Sequence, residues 1–236
     1  MTTGLPDLPS LFEPVFALRE GGDAFARAVA LAPERGAGTL VWVRAYARAE
    51  AAVVLEPEMP LGPARLAFHA AANALADALS SLGPPEVMVA LRWPGTAVVN
   101  GGACGSVRLA APPGAAEGAV PDWLVAGMEL RLAFPTGHEP GATPDLTALD
   151  EAGFEGVGPA ELTAAWARHL MAGLDEWRAR GPRRVIERYL ARLADEAGAP
   201  GLRRGVDPAT GALLLERGGG GVAAGERRPV PVEVAA

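Results

Sequence analysis

Hydrophobic residues recur at steps of three and four in several stretches of the chain, which is the spacing of an amphipathic helix. In the alanine-rich stretch from Pro63 to Leu82 the larger residues follow this spacing, so we predict a helix that packs on a sheet. In the stretch from Glu161 to Arg178, leucine and tryptophan residues recur at steps of four and three. The four predicted helices cover residues 21–33, 63–82, 161–178 and 182–197.

Short apolar runs separated by turn residues predict strands between these helices. Residues Trp123 to Phe134 place apolar side chains at alternate positions, which predicts one long strand. Asn100-Gly101 is a strong hairpin signal because both residues tolerate positive φ. Residues 1–20 contain three prolines and are predicted to be an irregular arm. The predicted strands cover residues 39–46, 52–56, 87–93, 97–99, 106–109 and 123–134.

The last part of the chain has a different pattern. Three short strands are predicted over residues 202–206, 212–216 and 230–234. The first two are joined by Asp207-Pro208-Ala209-Thr210-Gly211, which has the residues of a tight turn. We therefore predict two domains, a main domain over residues 1–198 and a small β domain over residues 199–236, whose strands are too short to be stable alone.

The amino-acid composition limits the partners and reactions that we expect for this chain. The formal net charge is −7, which argues against nucleic acid as a partner. Every basic residue other than the three histidines is arginine, so the chain offers no lysine for Schiff-base or phosphate-loop chemistry. One cysteine and three scattered histidines predict no metal site. No apolar run reaches the length that spans a bilayer and no signal peptide is apparent, so we expect a cytoplasmic protein without a membrane partner.

Four segments and their order carry a family resemblance. They read ERGAGTLVW over Glu34–Trp42, LRWPGT over Leu91–Thr96, NGGACGSV over Asn100–Val107 and LVAGMEL over Leu124–Leu130. They resemble the ligand loop G-R-G-R-x-G-R-x-W, the K-W-P-N-D motif, the K-x-A-G hairpin and the next strand of the biotin/lipoate A/B protein ligase family. The chain looks like a divergent bacterial branch with its own C-terminal domain. The resemblance implies an α/β fold, in which helices flank a mixed sheet of the class II synthetase-like kind, plus a small C-terminal β domain.

The same resemblance implies a function and a site. The function is ATP-dependent attachment of biotin, lipoate or a related carboxylate to a lysine of a biotinyl or lipoyl carrier domain, through an acyl-adenylate and with Mg²⁺. Arg92 would be the catalytic cation, in place of the family's lysine. The residues that would bind the ligand are Arg35, Gly36, Gly38, Trp42, Trp93, Gly105 and Ser106.

The chain departs from the family pattern at the lysines. Arg92 stands before Trp93 where the family has lysine, and Gly102 stands where the hairpin lysine would be. An arginine can still neutralise a phosphate. The alternative is a ligase fold that has lost adenylation and binds a small acyl ligand or a carrier domain. For Cys104, two roles remain open: an acyl-thioester nucleophile and a small buried thiol.

Overall fold

The computed structural model describes residues 4–6, 8–139, 143–195, 202–217 and 226–234. The helices are α1 Ala24–Arg35, α2 Leu61–Ala64, α3 Leu66–Leu82, α4 Pro159–Arg180 and α5 Arg183–Arg192. The strands are β1 Val15–Arg19, β2 Leu40–Arg44, β3 Arg48–Leu55, β4 Val89–Arg92, β5 Thr96–Val99, β6 Gly102–Ala111, β7 Leu124–Arg131, β8 Leu202–Val206, β9 Leu213–Arg217, β10 Glu226–Arg228 and β11 Glu233–Val234.

A mixed sheet forms the centre of the fold. Its strands lie in the order β1-β2-β3-β7-β6-β5-β4, and β11 adds to β6. β1 pairs with β2 in parallel, β11 pairs with β6 in parallel, and the other neighbours are antiparallel. Helices cover both faces. The predicted fold class is therefore confirmed.

Helix α3 covers one face of the sheet. Its alanines let it lie close to the strands, and Phe68, Leu75 and Leu79 are almost completely buried. α3 contacts β4, β5, β6 and β7, as the apolar pattern of residues 63–82 predicts. Helix α4 packs beside it, and the Trp166 indole Nε1 donates a hydrogen bond of 3.2 Å to the carbonyl oxygen of Ala71.

Helix α1 covers part of the opposite face. Its Phe25 ring lies over Gly127, where a Cβ atom would come within 2.4 Å of the ring. Glycine at this position therefore sets how closely α1 approaches the sheet. α1 contacts β2, β3 and β7. Beyond the amino-terminal end of α1, the described part of the chain places a cavity on this face.

The N-terminal arm differs from its prediction. Residues 15–19 form β1 at the sheet edge, instead of irregular structure. Pro14 precedes this strand, and its carbonyl oxygen accepts a hydrogen bond of 3.0 Å from the amide of Leu40. A proline before the first residue of an edge strand removes no donor that the pairing needs, so three prolines did not prevent a strand.

The small C-terminal sheet exists, with strand order β10-β9-β8. Of the predicted strand over residues 230–234, only Glu233–Val234 forms a strand, β11, and a further short strand, β10, lies before it at Glu226–Arg228. Val230, between the two, is buried at 3% exposure. Only β10 joins the small sheet, whereas β11 pairs with β6 of the central sheet. The boundary between residues 198 and 199 lies outside the described residues, so the division into two domains stays a prediction.

Candidate functional site

A cavity of about 500 Å³ lies on the α1 face of the central sheet. Strands β3, β5, β6 and β7 form its floor, and the segment after β7 forms one wall. Volumes of about 300–1,000 Å³ are typical of small-molecule sites. The residues that bear on its chemistry are Arg48, Cys104, Gly105, Ser106, Glu129 and Arg131.

Strand register brings the polar residues of this cavity together. Ser106 lies opposite Glu129 in the β6–β7 pair, and Arg48 lies opposite Arg131 in the β3–β7 pair. Directly opposed residues share a face of the sheet. At Gly105 a Cβ atom would lie 2.0 Å from the carbonyl oxygen of Glu129, so only glycine allows this approach of β6 to β7.

Arg48 binds residues at the edge of the cavity. Its Nε lies 3.0 Å from the Glu50 carboxylate, and its Nη2 donates to the carbonyl oxygens of Glu20 and Gly22 at 2.8 Å each. The Glu50 carboxylate also accepts a 2.6 Å hydrogen bond from the amide of Ala24, the first residue of α1. Arg48 therefore fixes the loop between β1 and α1, and its charge is neutralised by Glu50.

Arg131 is held by backbone carbonyls and an aromatic ring, whereas Arg48 is held in part by a carboxylate. Its Nη1 donates to the carbonyl oxygens of Ala103 at 3.3 Å and Thr147 at 3.2 Å, and its guanidinium carbon lies 5.2 Å from the centre of the Phe134 ring. These contacts fix the guanidinium without neutralising it. Within the described residues, Nη2 and Nε of Arg131 have no hydrogen-bond partner, so they are free to bind an anion in the cavity.

Cys104 has the properties of a buried thiol. It is 1% exposed, and its Sγ lies 3.6 Å from the carbonyl oxygen of Ala97. Burial raises the pKa of this thiol to about 12, so it is protonated at neutral pH. Because the thiolate is the nucleophile, the structure favours the small buried thiol over the acyl-thioester role.

Two of the predicted site residues, Gly105 and Ser106, line the cavity. Arg92 does not. It is exposed on β4, and its Nη2 reaches the carbonyl oxygen of Gly101 at 3.5 Å, at the limit of a hydrogen bond. Trp93 is half-buried and packs on the α3 side of the sheet, with its ring centre 6.0 Å from His69 and 6.3 Å from Tyr189.

The predicted ligand loop lies elsewhere in the fold. Gly36 and Gly38 form a tight turn between α1 and β2, and Arg35 is exposed at the end of α1. Trp42 is 5% exposed and packs in the core on the α3 side. Three strands separate β2 from β5, so Trp42 and the β4–β5 hairpin are about 19 Å apart across the sheet.

The backbone amides of this turn already have acceptors within the protein. Those of Ala37, Gly38 and Thr39 donate to Glu56 Oε1 at 3.3 Å, Val54 O at 2.9 Å and Gly36 O at 3.4 Å, respectively. They are therefore not free for a phosphate. The structure does not gather the Arg35–Trp42 segment and Arg92 around one cavity.

Sequence reasoning missed Arg48, Glu129 and Arg131. A signal for the last two exists in the strand prediction itself. Glu129 and Arg131 alternate with Met128, Leu130 and Leu132, so they point away from the core in a strand whose earlier residues are apolar on both sides. Charged residues at one end of such a strand indicate that this end is less buried than the rest of the strand.

Two further properties of the described residues bear on function. No group of three or more histidine, cysteine, aspartate or glutamate side chains is placed to hold a metal ion within the described ranges. None of the helices in the part of the chain that the structure describes is both long and apolar enough to cross a bilayer.

Comparisons with known proteins agree with this fold. The model of the biotin/lipoate A/B protein ligase family matches residues 8–191. A biotin protein ligase-like protein of unknown function from Silicibacter sp. TM1040 is 32% identical, with a TM-score of 0.79 over 94% of this chain and 96% of that chain. No curated protein matches the sequence.

More distant structures share the fold. Biotin protein ligase from Aquifex aeolicus, in complex with biotin and ATP, is 12% identical, with a TM-score of 0.66 over 93% of this chain and 97% of that chain. The ligase from Leishmania major in complex with biotinyl-5-AMP is 14% identical, with a TM-score of 0.57 over 92% and 98%. Because the family model covers most of the chain, the chain belongs to the biotin/lipoate A/B protein ligase family.

Proposed function

We propose that this chain binds a small carboxylate of the biotin or lipoate kind in the cavity on the α1 face, without adenylating it. The observation that carries this proposal is Arg131, a fixed guanidinium with two free donor nitrogens beside a cavity of about 500 Å³. A guanidinium binds a carboxylate through two parallel hydrogen bonds. Gly105 and Ser106 lie on the cavity floor next to it.

The rest of the cavity suits an acyl body. Leu146, Ala133 and Pro135 supply apolar wall on the side of Arg131. Leu146 is 40% exposed, so its side chain is accessible to a ligand in the cavity. A ligand with its carboxylate on Arg131 would cover this side chain with its apolar part.

The residues present do not fit ATP with Mg²⁺. The charged side chains that line the cavity are Arg48, which Glu50 neutralises, Arg131, and the carboxylates of Glu20 and Glu129. A triphosphate carries about four negative charges and needs several cations around it. With no lysine in the chain and Arg92 outside the cavity, Arg131 is the one lining cation among the described residues that no carboxylate neutralises.

The second candidate is the full ligase reaction, in which a carboxylate is adenylated and transferred to a lysine of a carrier domain. The fold shared with the Aquifex aeolicus enzyme, which was solved with biotin and ATP, favours it. In that case Arg92 would have to turn from the Gly101 carbonyl toward the cavity, or the carrier domain would have to supply a cation.

Two assays separate these candidates. Titration calorimetry with biotin, lipoate and octanoate measures binding to the unmodified chain and to Arg131→Gln. Pyrophosphate release is then measured with ATP, Mg²⁺ and the ligand that bound, with and without a carrier domain. Binding that depends on Arg131, without pyrophosphate, supports the proposal. Pyrophosphate release favours the ligase reaction, and no binding of any of the three carboxylates contradicts both.

A further inference from the structure

A second arginine lies on the same face of the sheet, bound to the C-terminal strand. Arg108 of β6 forms two parallel hydrogen bonds to Glu233 of β11, Nε to Oε1 and Nη2 to Oε2, both 2.7 Å. The other side of its guanidinium is supported by the Phe25 ring of α1, with 4.1 Å between the guanidinium carbon and the ring centre. A planar cation with a bidentate carboxylate is the geometry in which arginine binds an external anion.

Arg108 is next to the proposed binding cavity. It lies two residues along β6 from Ser106, so both side chains emerge on the same face, about 7 Å apart at their Cα atoms. Its partner in β7 is Gly127, which makes the cavity residue Glu129 its diagonal neighbour. The hydrogen bond from Arg108 to Glu233, with the nearby charges of Asp23 and Glu129, keeps the pKa of Arg108 above its usual range.

We propose that Arg108 is a second anion-binding residue of this cavity, and that the Glu233 carboxylate is an internal competitor that holds it away. When Glu233 leaves, the attraction of Glu129 draws the guanidinium toward the cavity, where it joins Arg131. The C-terminal strand then acts as an autoinhibitory strap. This inference rests on the proposed function, because it concerns the regulation of the same cavity.

The C-terminal strand is held weakly enough to detach from β6. Strand β11 pairs through two residues, Glu233 and Val234, and Val234 is 66% exposed. The side chains of Arg108 and Glu233 are 40% and 48% exposed, and an ion pair at that exposure contributes little net stability. Segments with few buried contacts open at low free energy, so an anion that reaches the cavity can compete with Glu233 for Arg108.

The test uses the full chain and inorganic pyrophosphate as the probe anion, titrated by calorimetry at low ionic strength. We expect Glu233→Gln to bind pyrophosphate roughly two- to five-fold more tightly than the unmodified chain, and Glu233→Gln with Arg108→Gln to lose that gain. Glu226→Gln is the matched control. It removes the same charge from an exposed ion pair with Arg228, in the small sheet, and should leave affinity unchanged.

An affinity in Glu233→Gln no tighter than that of the unmodified chain overturns the proposal, and so does a gain that survives the loss of Arg108. If melting temperatures show that Glu233→Gln disrupts the fold, Glu233→Asp replaces it, because the shorter side chain draws the carboxylate back from Arg108. The same gain in affinity, dependent on Arg108, is then expected, and its absence overturns the proposal. Since pyrophosphate reports on Arg108 directly, this result is independent of whether biotin, lipoate or octanoate binds, which tests the proposed function.

Discussion

His69 Nε2 lies 2.8 Å from the carbonyl oxygen of Gly211, which joins the buried face of α3 to the turn between β8 and β9. His69 is completely buried, and burial lowers its pKa to about 4. The imidazole is therefore neutral at physiological pH, and it links the central and C-terminal parts of the chain through one hydrogen bond.

This burial predicts a pH dependence of stability. Because the pKa of His69 is lower in the folded chain than its ordinary value of 6.5, the unfolded chain takes up the proton first as the pH falls. The contribution is fully present above about pH 6.5 and is lost down to about pH 4, on the order of 3 kcal/mol in all. We expect urea unfolding of His69→Gln to vary less with pH over this range. Equal pH slopes in the two proteins would show that His69 is not the group responsible.

Arg131 and Arg92 give opposite predictions for ligand binding. Arg131→Gln removes the free donors in the cavity, and we expect it to weaken carboxylate binding by about 1.5–3 kcal/mol. Arg92→Gln should have no effect, because Arg92 is exposed outside the cavity. Calorimetry with the same carboxylate measures both variants. A loss in Arg92→Gln and none in Arg131→Gln would return the site to its sequence-based position.

Two glycines predict opposite effects of alanine. At Gly105 the new Cβ would meet a backbone oxygen at 2.0 Å, so Gly105→Ala must push β6 from β7 and lower stability by about 2 kcal/mol or more. Gly173 lies inside α4, and a methyl group added there would have no atom within 4 Å, so Gly173→Ala should stabilise by about 0.4–1 kcal/mol. Denaturant unfolding checks both, and a neutral Gly105→Ala would contradict the close strand approach.

The ion pairs between Asp77 and helix α5 predict a loss of folding stability when the Asp77 charge is removed. Asp77 on α3 accepts hydrogen bonds from Arg188 and Arg192 of α5, and its side chain is 14% exposed. We expect Asp77→Asn to lower stability by about 1–3 kcal/mol, since two arginines lose the negative charge between them and one of the two acceptor oxygens. Glu187→Gln is the control, because its pair with Arg183 is exposed and should contribute under about 0.5 kcal/mol. Equal effects of the two changes would contradict this difference.

The raised pKa of Cys104 predicts its reactivity. Since the thiol titrates near 12 and is buried, iodoacetamide at pH 8 should leave the folded chain unmodified and label it only after denaturation. Mass spectrometry of the intact chain measures this directly. Labelling of the folded chain within minutes would reopen the acyl-thioester role.

The sequence allowed the core of the fold to be predicted because its signals are local. The spacing of Leu75 and Leu79 predicts α3, and the alternation over Trp123–Phe134 predicts β7, since each pattern needs only neighbouring residues. The edge strand β1 was missed because three of its five residues are exposed and prolines precede it. Its pairing with β2 decides its structure.

The site was harder to predict because it depends on register. Gly105 and Ser106 were named through the family resemblance, and both line the cavity; their role in binding stays a prediction. Arg131 was not named, because the contacts that fix it are made by the Ala103 and Thr147 carbonyls, which come from other parts of the chain. Arg92 keeps the position of a family motif, but its guanidinium is directed to Gly101. A sequence motif predicts where a backbone segment lies in the fold, but it does not determine the orientation of a side chain on that segment.

The pairing of β11 with β6 also has a consequence for how the chain is assembled. Glu233 pairs with Ala110, and the two residues are far apart in the sequence. Closing such a long loop costs entropy, so this strand pairing forms slowly during folding. During synthesis the edge of β6 at Ala110 and Ala111 stays unpaired until β11 has left the ribosome. An unpaired strand edge is a template for other strands, so the nascent protein should be most prone to aggregation in that interval, and chains truncated before β11 should remain so.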